Sequence, residues 1–161
     1  VDFLIFLSTQ YFRTKKIKMN FLRSAKELGD KMGVNVENMW NISSHIFATS
    51  LAFGIYEQRD NYKCYILICK GNIPFITGDQ PVINTLANYS SDVETDELEL
   101  YYPVSPDKAL LISKENFVKN PTTIEISEDE VRRYNSLILA ASEEQVFSNN
   151  KELLNELINN N

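Results

Sequence analysis

Two charged residues stand out for what they could do together. Asp79 lies in Phe75-Ile-Thr-Gly-Asp-Gln-Pro-Val82, an apolar run that turns into a polar, proline-terminated corner, and Arg13 closes the run Gln10-Tyr-Phe-Arg ahead of Thr14. A carboxylate held at the end of a strand can ligate a metal or accept a proton, while a guanidinium can clamp a phosphate or grip a carboxylate at two points. In a catalytic arrangement Asp79 is the base or metal ligand, Arg13 the phosphate clamp, and Gln10, Thr77 and Asn135 are polar positioning groups around an open cleft. In a structural arrangement Arg13 and Asp79 pair directly, joining the first helix to the sheet, with Asp79 also capping N–H groups of its own turn. Lys16 and Arg23 extend the basic side on which Arg13 lies and could contact a phosphate or a nucleic acid.

The element that must position Asp79 begins upstream, in Lys63-Cys-Tyr-Ile-Leu-Ile-Cys-Lys70, followed by Gly71-Asn72 and Ile73-Pro-Phe-Ile-Thr77. Two β-rich runs around a glycine-first dipeptide predict a hairpin with a II′ turn. Its register sets Cys69 opposite Pro74 in a non-hydrogen-bonded pair, where a proline removes no ladder bond. Cys64, Ile66, Ile68, Phe75, Thr77 and Asp79 then share one face, and the two thiols point to opposite faces. Gly78 is expected to take backbone angles closed to other residues, and Pro81 to hold Gln80 extended.

The order Gln10-Tyr-Phe-Arg-Thr14, Phe75-Ile-Thr-Gly-Asp-Gln-Pro-Val82, Tyr102-Pro-Val-Ser-Pro106 and a late Asn135 resembles the uncharacterised bacterial domain-of-unknown-function family 4238. Members typically show a Gln-x-x-Arg-Thr helix, an apolar-Thr-Ser-Asp-Asn-Pro-Val corner and a Pro-Leu-Ser-Pro turn; this chain departs mildly at Gly78, Gln80 and Val104. Members also carry an upstream region with a His-x-x-Pro opening. The resemblance therefore implies that these residues, which start at Val1, are the C-terminal part of a longer protein. It implies no established activity.

Around the corner, 2–29 reads as one long helix or two joined ones. Ile17, Phe21, Leu22, Ala25 and Leu28 gather on one side, and Arg13, Lys16, Asn20, Arg23 and Glu27 on the other. Gly29 and Gly33 mark its stop. A second helix runs from a cap at Asn35 to about Ile55, with Met39, Trp40, Ile42, Ile46, Phe47, Leu51 and Phe53 as a wide buried face and His45, the only histidine, opposite. An acidic run, Asp92, Glu94, Asp96, Glu97 and Glu99, lacks the glycine and spacing of a Ca²⁺ loop. Leu98–Tyr102 and Lys108–Ser113 read as strands. Ser127 and Glu130 form a capping box opening a helix to about Phe147, whose inner stripe is Val131, Tyr134, Ile138 and Ala141, with Asn135 beside it as a buried amide bonded to another segment. Asn149 or Asn150 caps a last short helix.

At 161 residues and 43% hydrophobic, the chain predicts a single domain of α+β class: N-terminal helices, a central mostly antiparallel sheet and C-terminal helices on one face. No run approaches the ~20 apolar residues of a membrane span, and no leader pattern occurs, so a soluble cytoplasmic protein is expected. The net charge of −6 is uneven. Residues 1–31 carry seven basic and three acidic side chains, leaving nine against nineteen elsewhere, so a basic patch stands on an acidic body. Glycine-rich nucleotide loops, the Gly-x-Ser-x-Gly elbow and His-Glu-x-x-His are all missing, which counts against dinucleotide oxidoreductases, nucleotide-dependent transferases, ordinary serine hydrolases and zinc proteases. One histidine and two divergent thiols do not assemble a zinc site; no metal site or cofactor is assigned. Two functions stay open: a binding or interaction domain, or a hydrolase or nuclease acting on a phosphate-containing substrate.

Overall fold

The computed structural model describes residues 1–87, 97–114 and 122–159. By its internal contacts the chain divides into two compact units, Val1–Arg59 and Asp60–Asn161.

The first unit is all helix: α1 (Asp2–Phe12), α2 (Lys15–Met32) and α3 (Val36–Glu57). The break after α1 falls at Arg13–Thr14, where Thr14 is extended and its hydroxyl donates to the Tyr11 carbonyl at 3.2 Å. Gly33, at φ 66°, is the left-handed stop of α2. Gly29 lies inside the helix for another reason: a Cβ there would overlap the Val36 side chain, so the glycine lets the start of α3 lie close. Asn35 caps α3 by accepting from the Asn38 N–H at 3.2 Å. On α2, Ile17, Phe21, Leu22 and Ala25 are half-buried, and Phe21 packs on Trp40 and Phe47; Leu28 stays exposed.

The buried face of α3 differs from expectation. Trp40, Ser44, Ala48, Ala52 and Ile55 are buried, Leu51 is half-buried, and Met39, Ile42, Ile46, Phe47 and Phe53 are exposed. Apolar residues lie on nearly every side of this helix, so their period does not choose a face. Close approach of α1 does, by selecting the small side chains spaced four apart.

The second unit is built on a mixed, mostly antiparallel five-stranded sheet, giving the chain its α+β class. Its strands are β1 (Lys63–Cys69), β3 (Ile83–Asn84), β4 (Leu100–Ser105), β5 (Lys108–Ser113) and β6 (Thr123–Ile126), in the order β3-β4-β5-β1-β6. A second sheet pairs β2 (Thr77–Gly78) with β7 (Val146–Phe147). Helices α4 (Glu128–Ala141) and α5 (Lys151–Asn159) complete the unit. Tyr65, Leu67, Ala109, Leu111, Tyr101 and Ile83 lie cross-strand from one another, and pack with Val131, Tyr134, Ile138 and Ala141 of α4 and Leu153 and Leu157 of α5 in one core.

The predicted hairpin does not form. β1 is an inner strand, antiparallel to β5 on one edge and parallel to β6 on the other, so it has no edge left for residues 73–77. Cys69 lies opposite Ile126, not Pro74. The uninterrupted apolar run Tyr65–Cys69 is the mark of such an inner strand. Its core-facing side carries Tyr65 and Leu67, and Phe75 belongs to that same core rather than to the side of Ile66 and Ile68. Cys64 is exposed, Cys69 is half-buried, and the two are unpaired on opposite faces, as their spacing requires.

β4 continues through Pro103, with a register shift between Pro103 and Ser105. The turn that follows is held by the Ser105 hydroxyl on the Asp107 carboxylate at 2.6 Å. α4 opens on the capping box of Ser127 and Glu130 and ends at Ala141, short of Phe147, which is in β7. Asn150, whose Oδ1 accepts from the Glu152 and Leu153 N–H groups, caps α5. Of the acidic run, Glu97 and Glu99 are within the described residues; Asp92, Glu94 and Asp96 lie outside them.

Candidate functional site

The corner is an extended strap laid across the second unit and fastened along its length. The Phe75 N–H donates to the Pro106 carbonyl at 2.9 Å. Asn135, fully buried on α4, takes the next peptides: its Oδ1 accepts from the Ile76 N–H at 3.0 Å and its Nδ2 donates to the Pro74 carbonyl at 2.9 Å. A side-chain amide offers the same donor and acceptor as a peptide group, so α4 serves the strap as a one-residue strand neighbour. Thr77 and Gly78 then pair with Phe147 and Val146.

Asp79 follows directly, half-buried, with its own N–H on the Gln145 carbonyl at 3.0 Å. Its carboxylate accepts the Glu143 N–H at 2.9 Å through Oδ1 and the Glu144 N–H at 2.7 Å through Oδ2. In a helix continued past Ala141 those amides would donate to carbonyls one turn back. Asp79 takes them instead, and α4 stops. The N–H groups it caps belong to this distant loop, not to its own turn. Beside it Gln80, nearly fully buried, folds its Nε2 back onto the Val82 carbonyl at 2.8 Å.

Gly78 is required by space rather than by backbone angle. Gly33 has the only positive φ recorded among the described glycines. A Cβ on Gly78 would overlap the Ser142 hydroxyl and press on the Gln145 carbonyl oxygen at 2.9 Å. Gly71 is less constrained, since the space beside it holds only the end of the flexible Glu128 side chain, whose carboxylate accepts the Asn72 N–H at 2.9 Å.

The strap runs into a polar cluster that the sequence did not single out. Asn84 Oδ1 accepts the Glu99 N–H at 3.0 Å and the Leu86 N–H at 3.3 Å, and its Nδ2 donates to the Glu97 carbonyl at 2.9 Å. The Thr85 hydroxyl lies 2.5 Å from the Glu99 carboxylate, the one acidic side chain buried among the described residues. Tyr101 stacks on Tyr134, ring centroids 4.5 Å apart and planes 7° apart, and the Tyr101 hydroxyl is buried without a hydrogen-bond partner among the described residues. Burial pushes the Tyr101 phenol well above its ordinary pKa, with the neighbouring Tyr134 adding to the rise. Tyr134 is raised too, first by burial and then by the Glu99 charge, against the opposing pull of Arg133. Alternation would have misplaced Tyr101, because a period of two sets it on the side of Glu97 and Glu99, opposite Leu98, Leu100 and Tyr102. Nothing in sequence spacing ties Asn84 and Thr85 to Glu99, because the partners are 15 and 14 positions apart.

Of the sequence candidates, Thr77, Asp79 and Asn135 therefore come together on and under the strap, each tied to backbone. The others belong to the first unit. Gln10 is half-buried on α1, Arg13 is exposed at the end of α1 rather than on α2, and half-buried Lys16 and exposed Arg23 are seven apart on one side of α2. The basic row foreseen from Arg13 to Glu27 is thus broken at Thr14. An open cavity of about 420 Å³ lies at the start of α5, lined by Asn72, Pro74, Asn149, Asn150, Lys151 and Glu152, and includes none of the candidates. Among the described residues no three His, Cys, Asp or Glu side chains are grouped to hold a metal ion, and no helix is long and apolar enough to cross a membrane.

Over residues 2–152 the chain matches the model of a family described as "Protein of unknown function (DUF4238)", and it belongs to that family. No curated protein and no solved structure matches it at a significant level.

Proposed function

We propose that this member of the DUF4238 family is a binding or interaction domain of the bacterial cytoplasm, and that its Thr77–Val82 corner is a structural brace. The observation that carries the reading is the state of the Asp79 carboxylate: both oxygens accept backbone N–H groups, at 2.9 and 2.7 Å. A catalytic base or metal ligand turns its lone pairs to substrate or ion, whereas here one of the two acceptor sites on each oxygen is spent on tying the strap to the end of α4. Asn135, the second candidate on this unit, is likewise engaged at both ends of its amide. The free thiols Cys64 and Cys69 suit a reducing compartment.

Asp79→Asn is the discriminating variant. An asparagine can accept only one of the two amides and sets its own NH₂ against the other, so the brace loses a charge-assisted bond and gains a donor facing a donor. Stability is expected to fall by about 1.5–3 kcal/mol in denaturant melts. The alternative, a hydrolase or nuclease on a phosphate-containing substrate, predicts the opposite pairing. Turnover of a simple phosphodiester with Mg²⁺ or Mn²⁺, lost in Asp79→Asn at an unchanged melting temperature, would overturn the brace.

A further inference from the structure

The outer side of α3 carries Met39, Ile42, Ile46 and Phe53, exposed by 46, 67, 56 and 59%. At 100° per residue these four fall within about 60° of arc, opposite the buried Ser44, Ala48, Ala52 and Ile55. Between Glu37 and Glu57 the helix contains no Asp, Glu, Lys or Arg. A helix that is apolar on two opposite sides normally has both covered.

We infer that this stripe is the contact of a homodimer, in which α3 packs antiparallel against α3 of a second copy about a two-fold axis through Ile46. The stripe is self-complementary about that residue. Met39 and Phe53 are each seven positions from Ile46, so the two-fold sets a thioether against an aromatic ring at both ends, a favourable pairing. Ile42 lies level with Ser50 of the second copy, and Ser43 with Thr49, on the flanks of the contact. Glu57 falls beside Asn35 of the second copy, at the positive end of that copy's helix, where a carboxylate is stabilised. Glu37 is already paired with Lys18 at 3.1 Å, so no uncompensated charge enters the contact.

Gly54 fits the same picture. It costs about 1 kcal/mol relative to alanine inside a helix, yet a Cβ there would meet nothing within 4 Å in this chain. Together with Ser43 and Ser50 it lines one rim of the stripe with small residues, which lets a second helix come close. Side chains of this size, exposed to this degree, form an apolar patch of roughly 400–500 Å², the size of the largest patch on a typical monomer, which is often functional. Two of them facing remove on the order of 1,000 Å², where specific interfaces begin. A lipid surface is disfavoured, because anionic headgroups need cations beside an apolar face, and α3 itself carries no Lys or Arg.

Sedimentation velocity over a concentration series tests the inference on the whole chain. A concentration-dependent dimer is expected, weakened at least ~100-fold by Ile46→Glu, which brings two carboxylates together on the axis. Oxidative cross-linking in a Cys64→Ser background supplies the geometry: Ile46→Cys should link to itself, Met39→Cys to Phe53→Cys but not to itself, and Asn41→Cys to neither. If Ile46→Glu loses its helical circular dichroism, the cross-linking pattern decides alone. A monomer at about 100 μM, a dimer indifferent to Ile46→Glu, self-linking by Met39→Cys, or co-sedimentation with phosphatidylglycerol vesicles that depends on Ile46 would each overturn it. The contact is independent of the corner, so the Asp79→Asn melt and this experiment fail separately.

Discussion

Asn135 shows how much one side chain can hold. Truncation to alanine would leave the Ile76 N–H and the Pro74 carbonyl buried and unpaired, each costing about 1–3 kcal/mol, and would open a cavity the size of an amide under the strap. Asn135→Ala is therefore expected to lower stability by about 3–5 kcal/mol, and Asn135→Asp by a similar amount, since a carboxylate has no donor for Pro74. Tyr101 is the contrary case. Its hydroxyl is buried with no partner among the described residues, so Tyr101→Phe removes an uncompensated polar group at little loss of packing and should stabilise by about 1 kcal/mol. The same site sets a pH dependence. Burial raises the folded-state pKa of Tyr101 above its unfolded value, so the neutral phenol is the form the fold favours. Its contribution is complete below the unfolded pKa of about 10 and is lost as the pH climbs toward the folded one. Wild-type protein should thus lose stability in mild alkali more steeply than Tyr101→Phe, read as melting temperature from pH 8 to 11. Equal slopes would show that Tyr101 is not the group responsible.

Among the elements, what could be read from the sequence was what is decided locally. The caps at Asn35, Ser127 and Asn150, the left-handed stop at Gly33 and the inner stripe of α4 with Asn135 beside it depend on residues a few positions apart, and all are present. The hairpin at Gly71-Asn72 failed because strand pairing is not local. β1 takes partners around Ala109 and Thr123, and a nearby glycine says nothing about which edges are already filled. The reading of α3 failed for a different reason, since an apolar residue on each of two sides gives no contrast in period. Gly78 was singled out for its backbone freedom, and proved to matter for the absence of a side chain. That distinction can be measured. Gly78→Ala is expected to lower stability by about 1–3 kcal/mol, because Ser142 Oγ and the Gln145 carbonyl occupy the space. Adding Ser142→Gly should recover part of the loss by removing the side chain but not the carbonyl. Were the constraint one of backbone angle, the second substitution would recover nothing.

At the scale of the whole molecule the charge is divided as the fold is. Val1–Arg59 carries eight basic against five acidic side chains, and Asp60–Asn161 eight against seventeen. An acidic body repels polyanions at long range, so contact with a phosphate ligand or nucleic acid would have to run through the first unit, where Arg13 and Arg23 are exposed. Each phosphate neutralised by a cation releases counterions and steepens the fall of affinity with salt by somewhat less than one unit of log–log slope. Reversing Arg13, Lys16 and Arg23 to glutamate should therefore weaken binding to a fluorescent single-stranded oligonucleotide and flatten its salt slope by about two. A matched reversal of the exposed Lys70, Lys108 and Lys151 in the acidic unit should leave the slope unchanged, which separates a located site from a response to net charge. Circular dichroism must stay that of the wild type for the comparison to stand, because Lys16 is half-buried. Binding too weak to detect at about 20 mM salt, where the ~20 Å screening length would help any cationic patch most, would remove polyanions from the list of partners and leave the apolar side of α3 as the surface to pursue.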